Sequence, residues 1–276
     1  MRILISDRDE RTARLVGAKV EGMGHTVRYE PDRRALGDLL TKSAYDLVIA
    51  DPSPMTDVGG VIVSIRKAAR QNTLYIMMMS DSLEAKTVLS KGANDLLAKP
   101  ISPQELEQKV QSAERFNKIV DWVGDSSEDF PSAGGIIAKS AFNQLFLSAI
   151  DRSARYGEKS YVLFISIDNH EDILAMDGQY SAKSSSAKLA QHLVKIRRQS
   201  DILAQIGKSD YALLLQRPVY ETEPMEAANR FADSISKIEE MEETGAKELC
   251  FSVRLMDVPS GTEHVVHKFK IDLLKK

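Results

Sequence analysis

Five short apolar runs in the first hundred residues constrain this chain most: Arg2 to Ser6, His25 to Tyr29, Asp46 to Ala50, Leu74 to Ser80 and Asp95 to Lys99. Each is separated from the next by a segment of helical period long enough to be a crossover helix. The pattern predicts a five-stranded parallel sheet covered on both faces, a doubly wound α/β domain. Asp81-Ser-Leu-Glu84 and Ser102-Pro-Gln-Glu105 have the form of capping boxes, the second with Pro103 at the first helical position, and they predict the starts of the last two helices. The final helix carries Val110, Ala113 and Ile119 and ends near Gly124.

One such domain leaves more than half of the 276 residues unused, and a second is expected. Gly124 to Gly135, GDSSEDFPSAGG, has the polar, Pro/Gly-punctuated composition of a linker. The expected division is therefore residues 1–122, a linker over 123–134, and a second domain over 135–276. In the latter, Phe142, Leu145, Phe146, Ala149 and Ile150 have the spacing of a one-faced helix, and Tyr161 to Ile167 reads as a strand. A helix near Lys188 to Arg198 precedes two apolar runs around Gly207-Lys-Ser-Asp210, the pattern of a hairpin. A helix through Met225, Ala228, Phe231, Ile235 and Ile238 and a last strand at Leu249 to Met256 complete an α/β unit with a mixed, partly antiparallel sheet. Lys183-Ser-Ser-Ser-Ala-Lys188 reads as a loop or a helix start, and Cys250 as a small core residue of the last strand.

Charge and cysteine content remove several function classes. Thirty-seven basic and 40 acidic residues give a net charge of −3, which leaves no electrostatic footprint for nucleic acid. One cysteine cannot form an internal disulfide, and no Cys/His cluster has zinc spacing. No apolar run approaches the ~20 residues of a membrane span, and MRILISDRDE turns acidic too soon for a signal peptide. A cytoplasmic location without membrane insertion is expected.

Ligands of doubly wound sheets bind at the carboxyl ends of the strands, and Asp7, Asp51, Ser80 and Lys99 each follow an apolar run. Over roughly residues 1 to 120 the chain resembles the flavodoxin-like receiver domain of two-component response regulators. The resemblance implies Asp51 as phosphoacceptor in a phosphorelay, Ser80 as switch hydroxyl, Lys99 before Pro100 as the receiver lysine, Asp7 and Asp51 as Mg²⁺ ligands, and a histidine kinase or phosphotransfer protein as partner. The chemistry is a carboxylate nucleophile with cations and a hydroxyl on the phosphoryl oxygens. Two departures stand out. Arg8 occupies a position where the family has a second acidic residue, with Asp9 one place further on, so any Mg²⁺ is weakly held; Leu96 replaces a usual aromatic. Two readings stay open: phosphotransfer at Asp51, slow or absent, or a docking or dimerisation platform in which Asp7 and Arg8 form a salt bridge.

The second half, roughly residues 133 to 276, resembles a GGDEF domain, the diguanylate cyclase fold. The resemblance rests on Gly135-Ile-Ile-Ala-Lys-Ser-Ala-Phe142, Phe164-Ile-Ser-Ile-Asp168, and Gly207-Lys-Ser-Asp-Tyr211 followed by Ala212-Leu-Leu-Leu215. The implied active site is degenerate. Ser166 replaces a metal aspartate and leaves Asp168, Lys208 replaces a phosphate-binding glycine, and Ser209 leaves Asp210 as the one acidic residue of the signature. Leu174 and Lys183 stand where the family reads guanine. No enzyme activity is expected, and Asp168 and Asp210 read as solvated strand-end residues. His170 reads as a half-buried core residue.

Arg198-Gln-Ser-Asp201 falls at the family's RxxD site for cyclic di-GMP, with Arg230 as a candidate second guanidinium. Arginine recognises phosphate or guanine bidentately, and a carboxylate accepts guanine's paired donors; the competing reading is an exposed i, i+3 ion pair. The whole chain reads as a catalytically inactive response regulator that binds cyclic di-GMP and acts on a downstream protein, with a homodimer also in view. The alternatives are a pure protein-interaction adaptor and a residual diguanylate cyclase.

Overall fold

The computed structural model describes residues 1–273 except 56, 70–72, 131, 133, 239–240 and 242–243, with the side chains of 34, 265 and 266 also left out. The chain forms two compact units. The first comprises Met1–Trp122 with Leu147–Lys159 and Val258–Thr262, the second Val123–Phe146, Ser160–Asp257 and Glu263–Lys276. The linker expected over 123–134 begins inside a helix that continues to Gly124, and residues 131 and 133 lie outside the described set.

In the first unit, β1 (Arg2–Ser6), β2 (Thr26–Tyr29), β3 (Leu47–Ala50), β4 (Tyr75–Ser80) and β5 (Asp95–Ala98) pair in parallel in the order β2-β1-β3-β4-β5. The helices between and after them are α1 (Glu10–Gly22), α2 (Arg33–Lys42), α3 (Val58–Ala69), α4 (Ala85–Ser90) and α5 (Pro103–Gly124). Every residue of β3 and β4 is buried, because a parallel strand with helices on both faces has no solvated side. That burial is why these strands read as unbroken apolar runs. The edge strand β2 is mostly exposed. Leu4, Val48, Ala50, Ile76 and Met78 pack on one face against Leu36 and Leu40 of α2 and Val61, Ile62 and Ile65 of α3.

The Ser102 cap is formed, with the Glu105 N–H donating to Ser102 Oγ at 3.4 Å. The box expected at Asp81 is not. α4 begins after Glu84, whose side chain makes no cap bond, and Ser80 Oγ takes the Ser82 and Leu83 N–H groups at 3.2 and 3.3 Å. The strand-end hydroxyl thus turns the chain before the helix can start.

The second unit is built on a five-stranded sheet in the order β10-β9-β6-β8-β7, with β6 (Ser160–Ile167), β7 (Ile202–Gln205), β8 (Asp210–Gln216), β9 (Glu248–Val258) and β10 (Glu263–Asp272). The β6/β8, β7/β8 and β9/β10 pairs are antiparallel. The expected hairpin is present, with the Ile206 and Gly207 N–H groups donating to Asp210 O. Its helices are α6 (Lys139–Tyr156, shared in sequence with the first unit), α7 (His170–Met176), α8 (Gly178–Ile196) and α9 (Glu223–Ile235). Leu189 and Leu193 of α8 and Phe231 and Ile235 of α9 close the core over Leu163, Ile165, Leu213 and Phe251.

Three expectations change here. Lys183 to Lys188 is neither loop nor helix start but the middle of α8, where Ser181, Ala182, Ser185 and Ser186 form a buried face of small residues. Tertiary packing overrides the weak helix propensity of serine. Leu249 to Met256 is not the last strand, since β10 follows and stacks Phe269 on Phe251 with ring centroids 5.5 Å apart. Cys250 sits at intermediate exposure rather than in the core.

Candidate functional site

The parallel sheet brings Asp7, Asp51 and Lys99 together at its carboxyl edge, since each directly follows β1, β3 or β5. Lys99 Nζ donates to Asp7 Oδ2 at 2.8 Å and also to Asp51 Oδ2. Both carboxylates are almost fully enclosed, with side-chain exposures of 3% and 8%. Their outer oxygens are taken by backbone: the Asp9 N–H donates to Asp7 at 2.8 Å and the Ser53 N–H to Asp51 at 2.7 Å. Burial works to raise the Asp51 carboxyl, but the hydrogen bonds from Lys99 and Ser53 outweigh it and hold the group below the ordinary carboxylate range. Burial likewise pulls the Lys99 ammonium down, and the two carboxylates more than compensate, raising it.

The Asp7–Arg8 salt bridge of the docking-platform reading is not formed. Asp7 faces inward to Lys99, whereas Arg8 is exposed and pairs with no described residue. Asp9 caps α1, accepting from the Arg11 N–H at 3.1 Å and the Thr12 hydroxyl at 2.6 Å, so it does not replace the acidic residue missing at position 8. Among the described residues no group of three or more His, Cys, Asp or Glu is placed to hold a metal. Sequence reasoning missed Arg33, whose guanidinium donates to the Pro52 carbonyl and to the Ser53 carbonyl at 3.0 Å. It pins the loop after Asp51 and lines, with Arg8, a cavity of about 780 Å³. Only its place at the start of α2, beside the carboxyl edge, hinted at this.

In the second unit, Asp168 follows β6, Asp210 opens β8, and Ser166, Lys208 and Ser209 lie beside them. Asp210 accepts from Ser166 Oγ at 2.6 Å and Asp168 from Ser252 Oγ at 2.6 Å. Asp168 is exposed as expected. Asp210 is not a solvated strand end: burial raises its carboxyl above the ordinary range, against the pull of the Ser166 hydroxyl. A carboxyl raised in the folded state holds its proton more tightly there than when unfolded. Stability is therefore fuller at low pH and is lost as pH climbs through the folded value. Asp210→Asn is expected to gain on the order of 1 kcal/mol at pH 7 and little at pH 4; urea denaturation at the two pH values would expose the opposite trend. Ser209 Oγ donates to the Ile167 carbonyl at 3.3 Å, and His170 is buried.

Arg198 and Asp201 lie just past the end of α8. Their side chains do not form the i, i+3 pair of the competing reading. Asp201 Oδ2 accepts the Arg198 backbone N–H at 2.8 Å and faces Arg230 Nη2 at 3.6 Å, while the Arg198 guanidinium reaches Glu223 Oε1 at 3.0 Å. The backbone takes the carboxylate first because an aspartate three residues on closes a turn at a helix end. Arg230 Nε is buried with no hydrogen-bond partner among the described residues.

Residues 3–111 match the response regulator receiver domain family. The chain is similar to the "Probable transcriptional regulator ycf27" of Galdieria sulphuraria, 32% identical over 111 residues that cover 40% of this chain and 44% of the relative. It is also similar to "Response regulator PleD" of Caulobacter vibrioides, 22% identical over 226 residues covering 78% of this chain and 49% of that one. This alignment is too long to be confined to the first unit's 122 N-terminal residues. A two-component response regulator from Clostridium difficile is 23% identical over 42% of this chain and 96% of its own, with a TM-score of 0.37. The chain spans about half the length of the curated relatives it matches. A parallel sheet in the order β2-β1-β3-β4-β5, two carboxylates and a lysine at its carboxyl edge, and the family match over the same residues agree: the N-terminal domain of this chain is a response regulator receiver domain.

Proposed function

We propose that this response regulator carries a degenerate GGDEF domain in its second unit, which binds cyclic di-GMP through Arg198, Asp201 and Arg230 and signals by protein contacts without making the nucleotide. One observation carries the reading. Asp201 stands among two arginines, one of which, Arg230, holds a buried Nε without a hydrogen-bond partner among the described residues, so two guanidiniums and a carboxylate acceptor are presented in one patch. The hairpin at Gly207 and the long alignment with a response regulator support the GGDEF assignment. The experiment is calorimetric titration of the whole chain with cyclic di-GMP; absence of binding at high micromolar ligand would leave an ion-pair cluster and favour the adaptor reading.

Loss of cyclase activity is part of the proposal. Ser166 and Ser252 occupy the carboxylates of Asp210 and Asp168, and Lys208 projects a side chain where a phosphate would need bare backbone. Incubation with GTP and Mg²⁺ is expected to give no cyclic di-GMP above a protein-free control. Product that disappears in Asp210→Asn would refute this.

In the receiver, Asp7 and Asp51 would hold Mg²⁺, which neutralises charge on a transferring phosphoryl group, but two carboxylates make a weak site. Asp51 is the proposed phosphoacceptor, and a histidine kinase or phosphotransfer protein the donor. Arg8→Asp is expected to speed labelling of Asp51 by acetyl phosphate roughly tenfold, the effect of about 1.4 kcal/mol in the transition state. An unchanged rate would acquit Arg8. Among the described residues no helix is long and apolar enough to cross a membrane, which is compatible with the proposed cytoplasmic location.

A further inference from the structure

The second unit holds a cavity of about 460 Å³ that the cyclic di-GMP reading leaves unused. Much of its wall is apolar: Phe130, Leu174 of α7, and Ala187 and Ala190 of α8. Two exposed ammonium groups stand on it from different elements, Lys183 from α8 and Lys208 from the hairpin. Among the described residues Lys183 forms no ion pair, and Lys208 has only Glu171, at 4.0 Å. The floor is neutral and already satisfied. Ser186 Oγ donates to the Lys208 carbonyl at 2.7 Å, and the Tyr211 hydroxyl donates to the Ser186 carbonyl at 2.9 Å, with burial pushing that phenol up to about 12. None of the described residues lining the cavity is a carboxylate.

These features select a ligand class. A volume of this size holds a small organic molecule, and apolar walls take a ring or short chain. Two cations without a lining anion favour an acid group and repel a base. Without a carboxylate acceptor the cavity cannot satisfy the adjacent N–H donors of guanine, which would be left unpaired. We propose that the cavity binds a small amphipathic anion, a ring or short chain bearing a carboxylate, sulfonate or phosphate, with its apolar part against Phe130, Leu174 and Ala190 and its acid group toward Lys183 and Lys208.

The probe is 1-anilinonaphthalene-8-sulfonate, whose fluorescence rises in apolar surroundings, titrated into the whole chain. Saturable binding at one site is expected, weakened at least tenfold by Lys183→Glu combined with Lys208→Glu and abolished by Ala187→Trp, which fills the cavity from an exposed helix position. Circular dichroism and a cooperative melt check that each variant is folded. 1-(Aminomethyl)naphthalene, a cation with a similar ring system, is expected to bind at least tenfold more weakly. Arg198→Ala is expected to leave the probe's affinity unchanged, and saturating cyclic di-GMP to leave the probe bound, so failure of one site is distinguishable from failure of the other. No saturable binding, equal affinity for the cation, indifference to the folded double-lysine variant, or displacement by cyclic di-GMP would each overturn the inference.

Discussion

Replacing Arg198 with alanine is expected to cost cyclic di-GMP about 2–5 kcal/mol of binding free energy, roughly a 30- to 4,000-fold loss of affinity. In the proposed site the guanidinium is a hydrogen-bonded, charged partner of the ligand, and its removal would leave a desolvated phosphate or guanine edge without a donor. The unliganded geometry adds a second expectation. Arg198 is held by Glu223 at 3.0 Å, so the ligand must take the guanidinium from a carboxylate already in place. Glu223→Gln should therefore tighten binding while Arg198→Ala weakens it. Asp201→Ala should relax selectivity for guanine over adenine, with cyclic di-AMP as the control, because a carboxylate reads guanine's adjacent donors. The readouts are calorimetry and the ligand-induced rise in melting temperature, which follows ligand excess over Kd and should vanish in Arg198→Ala. Equal affinity of wild type and Arg198→Ala would remove Arg198 from the site.

Lys99→Met is expected to destabilise the receiver by about 3–5 kcal/mol at neutral pH, because it strands two enclosed carboxylates without their cation. The pH dependence has a defined sign. The folded Asp51 carboxyl is depressed, so its contribution is present above the ordinary carboxylate range and is lost as pH falls through the folded value. The Lys99 ammonium is raised, so its contribution is present below its ordinary range and is lost as pH rises past the folded value. The penalty of the substitution should be greatest between about pH 5 and 9 and should shrink on acidification as Asp51 takes up a proton. Asp51→Asn in the Lys99→Met background should recover part of the loss, since it removes one stranded charge. Urea denaturation of the single and double variants checks this; a penalty equal at pH 3.5 and pH 7 would show that the triad is not electrostatically coupled.

The receiver fold was legible because burial on both faces leaves no choice of residue along β3 and β4, and such strands can only read as apolar runs. Convergence of Asp7, Asp51 and Lys99 was legible for the same reason, since a residue that ends a parallel strand must lie at one edge of the sheet. β10 went unread, although Phe269 and Ile271 alternate with Lys268, Lys270 and Asp272, because one face of that strand is only partly buried and its lysines dilute the signal. The N-terminal half of α8, ahead of the helix expected near Lys188, was hidden by serines whose usefulness lies in their small size against the sheet, which no propensity scale records.

The sequence by itself determined the parallel sheet, the hairpin at Gly207 and the strand-end positions of the receiver's polar residues, since each follows from local periodicity and chain connectivity. Only the tertiary structure decided which charges meet. Asp7 takes Lys99, 92 residues away, instead of its neighbour Arg8; Arg198 takes Glu223, 25 residues on, instead of Asp201; and Arg33 closes on carbonyls 19 and 20 residues distant. Ion pairs and hydrogen bonds depend on separations of a few ångströms between side-chain tips, and those separations are set by how helices and strands pack, not by spacing along the chain.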